Sequence, residues 1–158
     1  MLRKLNLNEQ LQHIVNRYIE AGGEWPATTH EIAFWAINNK LWGPQRSKII
    51  DICAEQLAHA MREEYITDPQ GRKVRAKHAA RISGTQQVLW DDIRTASREH
   101  MQAAFQQRRQ QIVGDCRQLK LDVDSYNENK NDSKPIQLIL DFTLDIAEAE
   151  LETTKALV

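Results

Sequence analysis

Apolar residues recur every three or four positions through the first part of the chain, and this period predicts three helices. The first is predicted over about residues 8–21 and ends at a glycine pair, because glycine is favoured just after a helix C-terminus. The second begins at Thr28, which forms a capping-box pattern with Glu31. The third is predicted over about residues 45–64, after the sequence LWGP.

The pattern then shortens to two runs that favour strands. YITD and RKVRA lie on either side of residues 68–71, DPQG, and this turn sequence suits a type I turn with glycine at its end. A second hairpin element is predicted to follow, with SGTQ as its turn and QVLW as a short strand. The next sequence, DDIRTAS, predicts a turn into a helix capped by Thr95 or Ser97.

A long helix is predicted over about residues 96–126, where apolar residues keep a heptad-like spacing. About 30 residues at 1.5 Å each extend for about 45 Å, which is too long for packing on one small domain alone. The helix is therefore expected to have a partner, either a second copy of the chain or the chain's own last helix. The residues expected to form a dimer contact share this seam: Met101, Phe105, Ile112, Leu119 and Val123. The polar loop 127–135 precedes a segment expected to be extended near 136–141 and helical from about 143 to 154.

Charge changes this picture because it is unevenly distributed. The formal net charge is only −1, yet five of the ten residues from 72 to 81 are Lys or Arg. Residues 1–81 hold 12 basic and 9 acidic residues, whereas residues 127–158 hold 3 and 7. The excess of basic residues in 1–81 and of acidic residues in 127–158 favours a polyanion as the partner of the N-terminal part.

Three helices followed by a basic hairpin resemble a winged helix-turn-helix DNA-binding domain over about residues 8–92. The expected fold is therefore mainly α with a small β-wing, followed by a long helix and a terminal extended or helical segment. The expected domains are a winged helix-turn-helix domain at 1–94 and a dimerisation region at 95–158. The resemblance implies that the start of the third helix enters the major groove. The residues at that position are Gln45, Arg46, Ser47 and Lys48.

The resemblance also implies that the hairpin is a wing that contacts DNA through Arg72, Lys73, Arg75 and Lys77. Because side chains alternate along a strand, Lys73, Arg75 and Lys77 are expected on one face. Arg72 and Val74 are expected on the other face, with Val74 packed inward. A solvated surface is the alternative interpretation of the same charges.

Other classes of function find little support in the sequence. HExxH and paired Cys/His spacings are absent, as is a Gly-rich phosphate loop, so neither an enzyme nor a cofactor or metal site is expected. Cys53 and Cys116 are expected to be buried thiols, and the four tryptophans to pack between elements. No apolar run approaches the roughly 20 residues that span a bilayer, and no signal peptide is apparent, so a cytoplasmic protein without a membrane partner is expected.

The predicted function is a sequence-specific or semi-specific double-stranded DNA-binding protein, acting as a homodimeric transcriptional regulator. One alternative is a protein-interaction adaptor that does not bind DNA and uses 136–146 for a partner. Another is a replication or mobile-element accessory factor that binds DNA and the sliding clamp. The sequence QLILDF, residues 137–142, resembles the QLxLxF-type peptide with which bacterial replication and repair proteins bind that clamp. Packing within the chain or a dimer is the other interpretation of this segment.

Overall fold

The computed structural model describes residues 6–44, 48–82, 84 and 87–156. This part of the chain is mainly helical, with a small antiparallel β region, as predicted. It divides into two compact units, Met1–His59 and Ala60–Val158. Both hairpins and the long helix belong to the second unit, so the boundary expected at residue 94 falls inside it.

The first unit begins with two capped helices, α1 (Leu7–Glu20) and α2 (Thr29–Asn38). The predicted capping box of α2 is confirmed: the Glu31 N–H donates to Thr28 Oγ1 at 3.2 Å, and the Thr28 N–H donates to the Glu31 carboxylate at 2.7 Å. Asn6 and Glu9 form the same reciprocal pair at the start of α1. These local bonds satisfy N–H groups that a helix start otherwise leaves unpaired.

The α1–α2 contact is built around one aromatic ring. Tyr18 is buried, and its ring packs edge-on against Trp35 with 5.6 Å between centroids. The Tyr18 hydroxyl donates to the backbone carbonyl of Glu24 at 3.1 Å. Gly23 lies against the ring so closely that a Cβ there would be 2.5 Å from Tyr18 Cζ. The glycine after α1 therefore makes room for the ring that joins the two helices.

The third helix, α3, spans Ile49–Arg62, so its predicted position is confirmed over the described residues. Its apolar stripe is largely exposed: Ile50 is 80% exposed and Leu57 is 58% exposed. The expectation of a buried Cys53 is wrong, because Cys53 shares this exposed surface, whereas Cys116 is half-buried.

The predicted first hairpin is confirmed as β1 (Tyr65–Thr67) paired antiparallel with β2 (Lys73–Arg75). Its turn closes through a hydrogen bond from the Gly71 N–H to the Asp68 carbonyl at 2.9 Å, and Gly71 has a φ of +84°. The half-buried Val74 pairs with Ile66, consistent with an inward position. The predicted turn residues therefore supply the left-handed backbone that this hairpin needs.

A second hairpin follows, β3 (Lys77–Arg81) paired antiparallel with β4 (Val88–Asp92). Its predicted turn lies partly outside the described residues. The turn expected from DDIRTAS is confirmed from Asp92 onwards, because the Asp92 carbonyl accepts from the Thr95 N–H at 3.0 Å and from the Ala96 N–H at 2.8 Å. The second strand nevertheless runs further than predicted and includes Asp91 and Asp92. The reason is pairing across the hairpin, where Asp92 lies opposite Lys77.

The predicted single basic strand is wrong, because the chain bends at Ala76. Ala76 is fully buried, its N–H donates to the Glu64 carbonyl at 3.0 Å, and its carbonyl accepts from the Ile93 N–H at 2.9 Å. This residue is thus held between the two hairpins. Lys73 and Arg75 belong to one sheet and Lys77 to the other, so they do not share one strand face.

The long helix is confirmed as α4 (Arg98–Asn129), with Ser97 as its N-cap. Its first turns pack on β3, where Ala80 and Ala104 are both buried. The last helix, α5 (Thr143–Ala156), is confirmed, and the residues before it, 135–142, are neither helix nor strand. No helix in the described ranges combines the length and apolar character required to cross a membrane.

Candidate nucleic-acid interface

The helix-tip part of the predicted interface is described only at Lys48. Gln45, Arg46 and Ser47 lie outside the described residues. Lys48 is exposed just before α3, and its Nζ lies 3.4 Å from the Asp51 carboxylate. An exposed ion pair of this kind is weak, so Lys48 stays accessible to a phosphate or a base.

Two of the four predicted wing cations are held by carboxylates of the chain. Arg72 is an exposed residue whose Nε donates to the Asp68 carboxylate at 2.7 Å. Lys77 is half-buried, and its Nζ lies 3.2 Å from carboxylate oxygens of both Glu64 and Asp92. The hydrogen bond to Glu64, followed by that to Asp92, raises the pKa of Lys77. The charge of Lys77 is therefore compensated within the protein.

Arg94 holds Asp92 in place for this role. The Arg94 guanidinium binds the Asp92 carboxylate through two nitrogens, at 2.6 Å and 2.8 Å. These bonds, with the Arg94 side chain as the largest cause, lower the pKa of Asp92 well below its ordinary value. Asp92 consequently stays ionised and fixes Lys77 at the start of β3.

The other two wing cations have no carboxylate partner among the described residues. Lys73 is exposed on β2, and Arg75 is half-exposed on the same strand. The Arg75 Nε donates to the Tyr65 hydroxyl at 3.5 Å. Lys73 and Arg75 therefore keep uncompensated charge on the first hairpin, as a phosphate-binding surface requires.

A cavity of about 480 Å³ continues this charged surface onto the second hairpin and α4. Its lining includes three guanidinium groups, from Arg62, Arg75 and Arg108, together with Lys77. Trp90 contributes an aromatic wall, and the carboxylate of Asp115 also lines the cavity. We call this cavity the basic groove. Three guanidinium groups from separate elements thus meet one carboxylate in this lining, which favours an anionic ligand.

Sequence reasoning missed Arg62 and Arg108 as site residues. The available signal was that Arg108 interrupts the apolar spacing of the long helix, where a seam residue was expected. Trp90 was predicted to pack between elements; it is half-buried, and the Arg62 guanidinium lies 5.5 Å from its ring centroid.

Specific side-chain contacts hold α4 against β3 beside the basic groove. His100 is buried, with Nε2 2.9 Å from the backbone carbonyl of His78. The ring of His78 packs edge-on against Phe105 with 5.4 Å between centroids. The Gln107 amide bonds both backbone groups of Arg81, at 2.9 Å and 2.7 Å. These contacts fix the α4 side of the basic groove relative to the strands.

The predicted dimer seam on α4 divides into two parts. Met101 is half-buried, and Phe105 packs on β3 within the chain while remaining 49% exposed. Ile112 and Leu119, further along α4, are 50% and 46% exposed, and Val123 is half-buried. The middle of α4 therefore carries apolar side chains that the described part of the chain leaves partly exposed.

Metal binding has no candidate among the described residues, where no three His, Cys, Asp or Glu side chains are grouped to hold an ion. Comparison of the chain with protein-family models, with curated proteins and with solved structures finds no match. The resemblance to a winged helix therefore depends on the order of the elements and the position of the charges.

Proposed function

We propose that this chain binds double-stranded DNA as a homodimeric transcriptional regulator, with a winged helix-turn-helix in its N-terminal part. The observation that carries the proposal is the uncompensated positive charge of Lys73 and Arg75 on a hairpin that follows three helices. Cations that neutralise phosphates release bound counterions, and this release drives DNA binding. The hairpin would contact the phosphate backbone, and residues 45–48 would supply the base contacts.

The proposed regulator must also form a dimer. Two copies joined through the middle of α4 would present two DNA-contacting surfaces to two half-sites. Half-exposed Ile112 and Leu119 lie one heptad apart, which is the spacing of a helix–helix seam.

The test is the mass of the native chain in solution, measured by light scattering with and without a random-sequence duplex at low salt. We expect twice the chain mass of 18.3 kDa without DNA and a further increase of one duplex per dimer with it. A mass that duplex DNA leaves unchanged would refute DNA binding, whereas a monomer mass in both conditions would refute the dimer as well.

A matched pair of variants locates the dimer contact. Ile112→Asp with Leu119→Asp should give the monomer mass, because each buried apolar side chain of this size contributes about 1.5–3 kcal/mol. Gln110→Asp, at an exposed polar position of the same helix, should leave the dimer intact. Equal masses for the two variants would exclude this contact.

A second candidate function, partner binding through residues 137–142, is favoured by the exposure of this segment. The Asn127 amide bonds both backbone groups of Ile136, each at 2.9 Å, so the segment starts from a fixed point on α4. The residues that follow are neither helix nor strand, and Leu138 and Phe142 are 46% and 41% exposed. A bacterial sliding clamp is the partner that its resemblance to the QLxLxF peptide implies.

We expect purified clamp to retain the native chain, and Gln137→Ala with Phe142→Ala to lower its affinity by about ten-fold or more, because anchor residues dominate peptide binding. Ile139→Ala is the matched control: Ile139 is 83% exposed but occupies a variable position of the peptide pattern. Far-UV circular dichroism checks that α5 remains folded. An equal loss for the control, or no retention of the native chain, would contradict clamp binding.

A further inference from the structure

We propose that the basic groove binds an unpaired nucleotide of a nucleic acid, so that the protein prefers DNA with a single-stranded overhang. This inference rests on the proposed DNA-binding function and assigns a ligand to a part of the interface that a duplex alone does not explain. The groove joins three features in one place: uncompensated guanidinium groups, a stacking surface, and an amide without a partner.

The first feature is charge that the protein itself does not neutralise. Lys77 lines the groove, but its charge is compensated by Glu64 and Asp92. Arg62, Arg75 and Arg108 have no ion-pair partner among the described residues. Against these three cations the groove lining contains one carboxylate, Asp115. Guanidinium groups bind phosphate oxygens in a planar, two-point geometry, which suits a backbone phosphate.

The second feature is the stack of Arg62 on Trp90. The guanidinium carbon lies 5.5 Å from the centroid of the Trp90 ring, and Arg62 is an exposed residue. Unpaired bases stack on aromatic rings and on arginine guanidinium planes. Arg62 is thereby positioned to bind a base on its outer side. In a duplex the bases are already stacked on one another, so this surface favours an unpaired one.

The third feature is the side-chain amide of Gln111, in a groove of suitable volume. Gln107 is engaged with the backbone of Arg81, but Gln111 lines the same wall and has no hydrogen-bond partner among the described residues. Its amide presents both a donor and an acceptor, as recognition of a base edge requires. The volume of about 480 Å³ falls within the range of about 300–1,000 Å³ for small-ligand sites. The groove is therefore large enough to hold an individual nucleotide.

The experiment measures fluorescence anisotropy with the native chain and three probes: a labelled single strand, a blunt duplex, and the same duplex with a single-stranded overhang. We expect the overhang duplex to bind about ten-fold more tightly than the blunt duplex, because stacking of one base contributes about 1–3 kcal/mol. Equal affinities for the two duplexes would overturn the inference and leave duplex binding in place. Failure to bind any of the probes would refute the proposed function itself.

Variants separate stacking from charge. Arg62→Lys keeps the positive charge but removes the planar group, so it should abolish most of the overhang preference, as should Arg108→Ala through loss of a phosphate contact. Arg109→Ala is the matched control, because Arg109 is an exposed neighbour on α4 that does not line the groove. Retention of the preference in Arg62→Lys would overturn the stacking site. Displacement of the probe by poly-glutamate as effectively as by unlabelled oligonucleotide would also overturn it, because charge alone would then suffice.

Discussion

Replacing Lys73 and Arg75 together by alanine is expected to weaken the salt dependence of duplex binding. Each phosphate contact contributes about 0.9 to the slope of log affinity against log salt, so loss of two contacts should lower that slope by about 1.8. Over a four-fold rise in salt concentration this corresponds to a difference of about 12-fold in affinity. The measurement is a salt titration of duplex binding by anisotropy, with native chain and variant measured in parallel.

Lys77→Ala is expected to behave differently, although Lys77 belongs to the same basic cluster. Its ammonium is already bound by Glu64 and Asp92, so its removal should change the slope by much less than about 0.9. It should instead lower the melting temperature, because it leaves two carboxylates of the second unit without their shared cation. A Lys77→Ala slope lowered by about 0.9, the value for one phosphate contact, would mean that Lys77 leaves its carboxylates for phosphate, contrary to this assignment.

Arg117→Ala controls for the loss of any one cation. Arg117 is exposed on α4 and lies outside the first hairpin and the basic groove. Its removal should leave the slope within the error of the native chain. If it lowered the slope by about 0.9, the value for one phosphate contact, binding would reflect general charge and not the hairpin.

The features that sequence predicted well are those whose causes are local. Thr28 and Glu31 exchange hydrogen bonds within one turn, and Ser97 accepts from the His100 N–H at 3.1 Å. The Asp68 carboxylate bonds the backbone N–H of Arg72 at 2.8 Å across its own turn. Each of these signals lies within a few residues of the group it stabilises, so the pattern of residue types is enough to locate it.

The bend at Ala76 has no such local signal in the sequence. Alternation of basic and apolar residues passes through KVRAK without interruption, and a continuous strand satisfies it. The structure breaks the strand because Ala76 bonds Glu64 on one side and Ile93 on the other. Both partners are distant along the chain, and the spacing of apolar residues does not indicate which backbone groups form hydrogen bonds with one another.

The basic groove depends on tertiary packing for the same reason. Arg62 and Arg108 lie on different helices, and they line one cavity beside the contact of α4 with β3, in which Ala104 and Ala80 are buried. Two small side chains permit this approach, yet alanine is too common in helices and strands to indicate it. Charge density along the sequence therefore located the hairpin and not the groove.

Gly23→Ala is expected to destabilise the first unit strongly, since its Cβ would lie 2.5 Å from Tyr18 Cζ and 2.6 Å from two neighbouring ring carbons. The ring is not free to move aside, because it is buried, packs on Trp35 and donates to the Glu24 carbonyl. Overpacking of this kind costs about 1–3 kcal/mol. For a chain of this length we expect the melting temperature to fall by about 2–4 °C per kcal/mol, measured by circular dichroism.

Two further variants establish the cause. Gly43→Ala should be close to neutral, because nothing lies within 4 Å of a Cβ at Gly43 and its φ lies outside the left-handed range. In a Tyr18→Ala background the ring is gone, so Gly23→Ala should add little or no further loss, and the two effects should be non-additive. A Gly23→Ala cost that persists undiminished without the ring would show that the backbone of Gly23, and not its contact with Tyr18, limits the position. Non-additivity would instead establish that the end of α1 and the packing of α2 depend on one another through a single aromatic side chain.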